Sequence, residues 1–304
     1  MTLDTTLKRN PAQTRAVSVA VYCAVFLWSV KQFGIPVDRI AVVAWILVAF
    51  IFANVGKPWR EQTNMLRDWS IFAVMLFAYE YSRGLADQLG RPISYTFVRD
   101  LDRLLFFGTD PNIWMQQRLN IGRTLRWYEY PLALTYMSHF IFPVGVAVVL
   151  WWISRELWVK YIRRLSILFL TSCLMFAAFP VAPPWLAAKE GYLEPISRIT
   201  ARAWGRMGID AVSKLFDRGT AITNPYAAMP SLHAACALLV VVFFFPALSW
   251  WLRIVALVLP VSMAICLVYF GEHYVADIIA GWLAVWFSCW AATKWDRRKL
   301  VLRT

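Results

Sequence analysis

Long apolar stretches constrain the fold of this chain more than any other feature of its sequence. A helix needs about 20 mainly apolar residues to cross a bilayer, and eight stretches approach that length. They are Ala16 to Phe33, Ile40 to Val55, Trp69 to Tyr81, Pro131 to Trp152, Tyr161 to Val181, Leu232 to Trp250, Trp251 to Phe270 and Tyr274 to Thr293. Hydrophobic residues make up 60% of the 304 residues, against roughly 45–50% in soluble domains. The sequence predicts an all-α integral membrane protein with about eight transmembrane helices, although the third stretch is short enough to lie in the interface instead.

The basic residues indicate how these helices are oriented. The net charge of +13 would favour nucleic acid as a partner in a soluble protein. With eight crossings, however, one side of the membrane holds 16 Lys and Arg against 5 Asp and Glu, and the other holds 15 against 13. Short loops rich in Lys and Arg stay in the cytoplasm. We therefore expect the first side to be cytoplasmic, its tail "KWDRRKLVLR" to contact anionic lipid, and no nucleic acid to bind.

The cysteine pattern argues against a disulfide framework and against a zinc site. All five cysteines fall inside apolar stretches, and none has CxxC spacing. Cysteines in such surroundings usually serve in packing. The sequence therefore predicts no disulfide and no metal, and we expect no cofactor.

Two long polar segments interrupt the apolar pattern, Ser82 to Tyr130 and Ala182 to Met229. Both fall on the non-cytoplasmic side of this topology. Each contains an amphipathic pattern, "FVRDLDRLLFFG" in the first and "PISRITARAWGRMGIDAVSKLF" in the second, with apolar residues at intervals of three and four. Such helices either lie in the membrane interface or cover a site between the transmembrane helices, and the sequence leaves both alternatives open.

Histidines occur only three times, as His139, His233 and His273. The last two stand at the non-cytoplasmic starts of apolar stretches, and Asp277 follows His273 by four residues, a spacing that places both side chains on one face of a helix. A carboxylate beside an imidazole fixes its tautomer and makes its free nitrogen a better base or nucleophile. Ionisable groups that border a span are functional candidates. His139, in mid-span, is predicted to hydrogen-bond between helices, with a role as a third catalytic group as the alternative.

The turn before His233 is suited to binding an anion. In "NPYAAMPSLHAACALLV", Pro230 fits the first position of a helix and Ser231 follows it, so the free N–H groups of the helix start would bind a ligand such as phosphate. The alternative for Ser231 is a helix cap alone. This turn, an acid histidine and a nucleophilic histidine backed by aspartate supply the parts for phosphoryl transfer through a phosphohistidine.

These motifs resemble a known family. "PSLH" and "HYVAD" are similar to the second and third motifs, PSGH and SRxxxxxHxxxD, of the type 2 phosphatidic acid phosphatase superfamily. Together with "FPVAPPW" at Phe179–Trp185, they resemble its inositol phosphorylceramide synthase branch more closely. The resemblance covers roughly Leu168 to Gly281. It implies a phosphatidic acid phosphatase-like core formed by the last six helices, with N-terminal transmembrane helices in residues 1–60 and the catalytic membrane domain in residues 61–304.

The resemblance also implies a role for each site residue. His273 would attack the phosphorus, and Asp277 would orient it. His233 would protonate the leaving oxygen and later activate the acceptor, while Ser231 and nearby amides would hold the phosphoryl oxygens. No metal takes part in this scheme.

The basic residues are the main departure from the superfamily pattern. "APPW" stands where the first motif, KxxxxxxRP, is expected, and Leu267 occupies the position of the third-motif arginine. A transferred phosphoryl group still needs positive charge around it. The predicted phosphate-binding residues are Lys189, Arg198, Arg202 and Arg206 in the second segment, with Arg83 and Arg91 of the first segment as alternatives.

The predicted function is that of a membrane phosphotransferase. It would move a lipid headgroup phosphate, such as inositol phosphate, from a phospholipid or prenyl-phosphate substrate to the hydroxyl of a lipid or glycan acceptor. One alternative is a lipid phosphate phosphatase that uses the same residues, and another is a non-catalytic lipid-binding or transport protein. We expect the protein in the plasma membrane, with its site on the non-cytoplasmic side.

Overall fold

The computed structural model describes residues 11–33, 39–85, 90–120, 122, 124–208 and 226–301. Helices dominate these residues, and two isolated β-bridges join Val181 to Ser94 and to Ala227. In chain order the helices are α1 (Pro11–Phe33), α2 (Arg39–Ala53), α3 (Trp59–Leu85), α4 (Phe97–Leu105), α5 (Pro111–Leu119), α6 (Glu129–Ile153), α7 (Arg155–Ala178), α8 (Pro184–Lys189), α9 (Arg202–Arg206), α10 (Leu232–Phe244), α11 (Trp250–Ala256), α12 (Val258–Tyr269) and α13 (Val275–Val301). The all-α prediction is confirmed.

Five helical segments of the described chain are long and apolar enough to cross a membrane. They are Ala12–Phe33, Glu129–Ile153, Arg155–Ala178, Trp250–Tyr269 and Val275–Arg298. α2 and α10 are apolar but shorter, and α10 ends at a 3₁₀ turn that contains Pro246. α3 carries charged residues along its first half. The integral membrane class is confirmed, whereas the predicted count of eight spans is not.

The chain divides into two compact units, Met1–Ala78 and Tyr79–Thr304. In the first unit α1 packs against α2, and the Tyr22 hydroxyl donates a hydrogen bond to the Trp45 carbonyl at 3.0 Å. Residues 59–78 of α3 also belong to this unit. The functional division after residue 60 stays a prediction.

The second unit is built around α10. This helix contacts α6, α7, α12 and α13, and its buried residues include Ala234, Ala235 and Ala237. Small side chains let neighbouring helices approach closely. The predicted core of six helices would include α3. Because most of α3 falls in the first unit, this core stays a prediction.

The described residues of the two polar segments, mainly 90–120 and 182–208, lie over one end of this bundle. α4 contacts α13, α5 contacts α12, and α9 contacts α6. The Ser94 N–H donates to the Pro180 carbonyl at 2.9 Å, and the Val181 N–H donates to the Tyr226 carbonyl at 2.8 Å, so three stretches of chain run side by side here. Of the two alternatives for these segments, the packing of their described residues supports a cover over the end of the helices. The predicted amphipathic helix over residues 195–216 was wrong in its length: residues 195–201 are not helical, α9 spans Arg202–Arg206, and residues 209–216 lie outside the described residues.

Candidate active site

His273 and Asp277 lie together at the start of α13. Asp277 Oδ2 is 3.3 Å from His273 Nδ1 and accepts a hydrogen bond from the Tyr274 N–H at 3.0 Å. Asp277 is completely buried, and His273 is 7% exposed. Because the carboxylate engages Nδ1, the other ring nitrogen, Nε2, is the one suited to react with a substrate.

The pair does not share a helix face as its four-residue spacing predicted. α13 begins at Val275, so His273 lies in the preceding turn while Asp277 lies in the first helical turn. The reason is that Asp277 reaches back to the Tyr274 N–H, as the third residue of a helix does in a capping box. One carboxylate therefore orders both the helix start and the imidazole before it.

Gly271 closes the turn that leads to His273. Its φ is +74°, in the left-handed region that favours glycine, and its carbonyl accepts a hydrogen bond from the Trp185 N–H at 3.0 Å. An added Cβ would lie 2.8 Å from Ile196 Cγ2 and 3.2 Å from the Ser197 carbonyl oxygen. The turn therefore packs directly against the second segment, and the "APPW" motif contacts it through its backbone.

His233 faces His273 from the start of α10. The two ring centroids are 5.6 Å apart, with the planes at 57°. Gly281 permits the close approach of α13, because a Cβ there would lie 2.5 Å from the Ser231 carbonyl oxygen. The Ser231 N–H donates to the carbonyl of Asp277 at 2.9 Å. The structure thus brings the three predicted catalytic residues into one group.

Ser231 is the N-cap of α10. Its Oγ accepts a hydrogen bond from the Ala234 N–H at 3.4 Å, its side chain is fully buried, and Leu232 is the first helical residue. The prediction that Pro230 opens the helix was wrong, because the serine hydroxyl satisfies an N–H group at the helix start and so takes the cap position after the proline. The capping role is observed, and a contact of Ser231 with phosphate stays a prediction.

The predicted basic phosphate-binding residues do not all lie near the histidines. Arg198 Nε donates to Glu272 Oε1 at 2.7 Å, and its guanidinium lies over the Trp185 ring, 5.0 Å from the centroid. Because Glu272 precedes His273, this ion pair holds the positive charge of Arg198 near the candidate nucleophile. The others are placed differently: Lys189, Arg206 and Arg91 are exposed, and the side chain of Arg83 lies outside the described residues.

Arg202 is held by a buried carboxylate. Its guanidinium donates to both oxygens of Glu129, from Nε at 2.9 Å, and to Asn120 Oδ1 at 2.9 Å. Glu129 is completely buried and accepts a further hydrogen bond from the Tyr269 hydroxyl at 2.9 Å. These contacts connect α9 with α6 and α12. A phosphate-binding role for Arg202 stays a prediction.

Asp102 holds the start of α13 from the first segment, a role that the sequence did not reveal. Its Oδ2 accepts a hydrogen bond from the Val275 N–H and its Oδ1 from the Ala276 N–H, each at 2.7 Å. Burial raises the pKa of Asp102 to about 7, although the two amide hydrogen bonds act in the opposite direction. The available signal was its position four residues after Val98 on the buried face of an amphipathic helix.

Asn112 fixes the loop on the other side of His273. Its Nδ2 donates to the Val268 carbonyl at 2.9 Å and to the His273 carbonyl at 3.0 Å. The side chain is completely buried. Together with Asp102, it sets the backbone path that carries His273.

His139 is the third member of the histidine group. Its ring centroid lies 4.0 Å from that of His233, with the planes at 32°. The sequence predicts a hydrogen bond between helices at this position, and the structure adds a ring contact with a predicted catalytic residue. Within the part of the chain that the structure describes, no group of three or more His, Cys, Asp or Glu residues is arranged to hold a metal ion.

Known proteins are similar to this chain over the part that contains these residues. The sequence model of the PAP2 superfamily matches residues 97–291, which include the three histidines, Asp277 and Ser231. The phosphoinositol dihydroceramide synthase of Bacteroides thetaiotaomicron is 24% identical over 89% of this chain and 89% of its own length. The inositol phosphorylceramide synthase of Candida albicans is 27% identical over 83% of this chain, which spans 46% of that relative. No solved structure gives a significant match.

Proposed function

Because the chain belongs to the PAP2 superfamily, we propose that it is a lipid headgroup transferase. It is a membrane enzyme that acts on a lipid phosphate, and both relatives named above are synthases of inositol-containing phosphoceramides. The proposed reaction moves a headgroup phosphate, such as inositol phosphate, from a phospholipid to the hydroxyl of a second lipid. The observation that carries the proposal is the His273–Asp277 pair with His233 facing it at 5.6 Å.

In the first step, Nε2 of His273 attacks the phosphorus of the donor. The N–P bond forms while the bond between phosphorus and the glycerol oxygen breaks, and protonated His233 gives its proton to that oxygen. Diacylglycerol then leaves as a neutral alcohol. Asp277 stabilises the positive charge that develops on the imidazole of His273.

In the second step, His233 acts as a base. It takes the proton of the acceptor hydroxyl, the acceptor oxygen attacks the phosphorus, and the N–P bond breaks to regenerate His273. If water replaces the acceptor, the same residues hydrolyse the phosphohistidine, and with a phosphomonoester donor such as phosphatidic acid the protein would be a phosphatase. The synthase relatives favour transfer.

The site is proposed to face the non-cytoplasmic side of the plasma membrane. α13 starts at the histidine group and ends in a basic region that includes Lys294 and Arg297. Near that end, Arg163 forms an ion pair with Asp296. Since basic residues favour the cytoplasmic side, the opposite end, with the histidines, would face outward.

The decisive experiment uses purified protein in vesicles that contain phosphatidylinositol labelled in its headgroup and ceramide as acceptor lipid. Transfer predicts label in a new lipid that requires the acceptor, and a phosphoenzyme that is labile to acid. Label released into water would show hydrolysis in place of transfer, and release of phosphate from phosphatidic acid in the same vesicles would show a phosphatase. If neither product forms while labelled lipid still binds, a lipid-binding or transport protein would be indicated instead.

Two variants make this experiment specific. His273→Ala is expected to abolish both the phosphoenzyme and the product, because no nucleophile remains. Asp100→Ala, which removes an exposed carboxylate on α4, is the control and should keep full turnover. A His273→Ala variant that still turns over while folded would overturn the proposed mechanism.

A further inference from the structure

α6 forms one wall of the site around His233. Three of its side chains contact the imidazole of His233 with their rings. The centroid distances are 4.8 Å from Tyr136, 4.0 Å from His139 and 5.8 Å from Phe140. The Tyr136 ring is stacked on the imidazole with the planes at 26°, and the His139 ring is tilted against it at 32°.

From this packing we infer that His139 is a positioning residue for His233. The inference rests on the proposed function, in which His233 first donates a proton and then accepts one. The same ring nitrogen must meet the leaving oxygen and later the acceptor oxygen, so the imidazole has to keep its orientation through both steps. Ring contacts from α6 supply that restraint.

A purely apolar residue could provide the ring contact, so the identity of His139 needs a further reason. Polar residues inside a span are unfavourable in lipid and are usually found where they serve a function. His233 carries a positive charge in its protonated form, and a neutral imidazole at 4.0 Å offers a polar nitrogen and an aromatic face that stabilise a neighbouring cation. His139 therefore supports the state in which His233 holds the proton.

The geometry does not favour a metal site formed by the three histidines. The rings of His139 and His233 contact each other at a tilt of 32°, whereas metal ligands direct their nitrogen atoms toward a common point, and no group of three or more His, Cys, Asp or Glu residues in the described part of the chain is arranged in that way. His273 directs its Nδ1 to Asp277. The contact between His139 and His233 is therefore a contact between two side chains and does not form part of a metal site.

Three substitutions separate the polar role from simple packing. His139→Phe keeps a flat ring of similar size but has no nitrogen, His139→Gln keeps a polar group without the ring, and His139→Ala removes both. We expect His139→Phe to lower kcat about 10-fold, with KM within twofold of that of the native enzyme. The kcat of His139→Gln should lie between that of the native enzyme and that of His139→Phe. If His139→Phe turns over as fast as the native enzyme, or faster than His139→Gln, the inference is wrong.

Single-turnover measurement of the phosphoenzyme distinguishes positioning from damage to the fold. Labelled phosphatidylinositol is mixed with excess enzyme, and ceramide is then added. A positioning role predicts that His139→Phe slows both formation and breakdown of the phosphoenzyme while the amplitude is kept. A structural role alone would lower the amplitude and leave both rates unchanged, which would overturn the inference.

A parallel measurement on His273→Ala keeps the two proposals apart. If His273→Ala still turns over, the proposed function itself fails. If His273→Ala is inactive but His139→Phe has native rates, the proposed function stands and only the role of His139 is rejected.

Discussion

The first polar segment, in residues 90–120, contacts the loop between α12 and α13 through the backbone of that loop. Asp102 accepts hydrogen bonds from two N–H groups of α13, and Asn112 donates to two carbonyl groups on either side of Gly271. The second segment, in residues 182–208, relies more on charge. Arg198 binds Glu272, and Arg202 binds Glu129.

The first segment therefore fixes the backbone at the candidate site, whereas the second segment places charged groups near it. Hydrogen bonds to backbone groups fix the path of the loop without regard to its side chains, so they can hold His273 in place. Ion pairs place charge near a site where an anionic lipid would bind. We therefore expect variants of the first segment to act mainly on stability, and expect the two arginines of the second to differ from one another.

Arg202→Ala should have the largest effect on stability. It leaves Glu129 completely buried without its cationic partner, and breaking a buried pair in this way costs about 3–5 kcal/mol. The temperature of unfolding in detergent, followed by tryptophan fluorescence, should fall strongly. Arg206→Ala, an exposed position on the same helix, is the matched control.

The double variant Arg202→Met with Glu129→Gln tests whether the unpaired carboxylate causes this loss of stability. Removing both charges avoids an unpaired buried carboxylate, so much of the lost stability should return. A double variant that is as unstable as Arg202→Ala would show that the charge pair is not the cause. Equal unfolding temperatures for Arg202→Ala and Arg206→Ala would contradict the structural role of Arg202.

Asp102→Ala should have the next largest effect. Two N–H groups at the start of α13 would lose their acceptor, and since the raised pKa of Asp102 leaves this carboxyl partly protonated near neutral pH, each hydrogen bond should contribute about 0.5–1.5 kcal/mol. We expect lower unfolding temperature and lost turnover, because the turn that carries His273 is released. Asp100→Ala serves as the control, since this carboxylate is exposed and pairs with Arg99 at the surface. If Asp102→Ala and Asp100→Ala unfold at the same temperature, the first segment does not hold the start of α13, and the expected difference between the segments is wrong.

Gln116→Ala tests the point where the two segments meet. The Gln116 side chain donates to the carbonyls of Ser197 and Tyr269 at 2.7 and 2.9 Å and accepts from the Ser197 N–H at 2.8 Å. Since these are bonds between neutral groups, the loss should be about 1–2 kcal/mol. Gln117→Ala, its exposed neighbour, should have no measurable effect in the same unfolding assay. A larger loss than that of Asp102→Ala would reverse the expected order.

Much of the site was predictable because its chemistry restricts residue type and spacing. His233, His273 and Asp277 stand at the ends of apolar stretches, where ionisable residues are rare. The partners of Arg202 and Asp102 could not be predicted in this way, because Glu129 is 73 residues from Arg202 and Val275 is 173 residues from Asp102. Which side chains meet over such distances depends on how the segments pack, and no local pattern records it.

The number of spans was less predictable than the helices themselves. Apolar composition predicted α2 and α10 correctly as helices, but their lengths depend on where each helix ends. α10 ends at a turn that contains Pro246, although the apolar pattern continues through Trp250. A hydropathy pattern alone therefore overestimates the length of such a helix.

Arg198→Gln should have the smallest effect on stability and the most specific effect on catalysis. The side chain of its partner Glu272 is 9% exposed, unlike the completely buried Glu129, and keeps the hydrogen bond from Thr200, so the loss of the pair should cost about 1 kcal/mol. Since the guanidinium lies beside the residue that precedes His273, its removal should raise KM for the anionic donor lipid about fivefold.

The double variant Arg198→Gln with Glu272→Gln decides between two roles of this arginine. If Arg198 only neutralises Glu272, removing both charges should restore KM together with the unfolding temperature. If Arg198 also attracts the lipid phosphate, the unfolding temperature should recover while KM stays high, because Thr200 can still bond to residue 272 but the positive charge is gone. The second result would assign the electrostatic function of the second segment to Arg198 and leave Arg202 with the structural one.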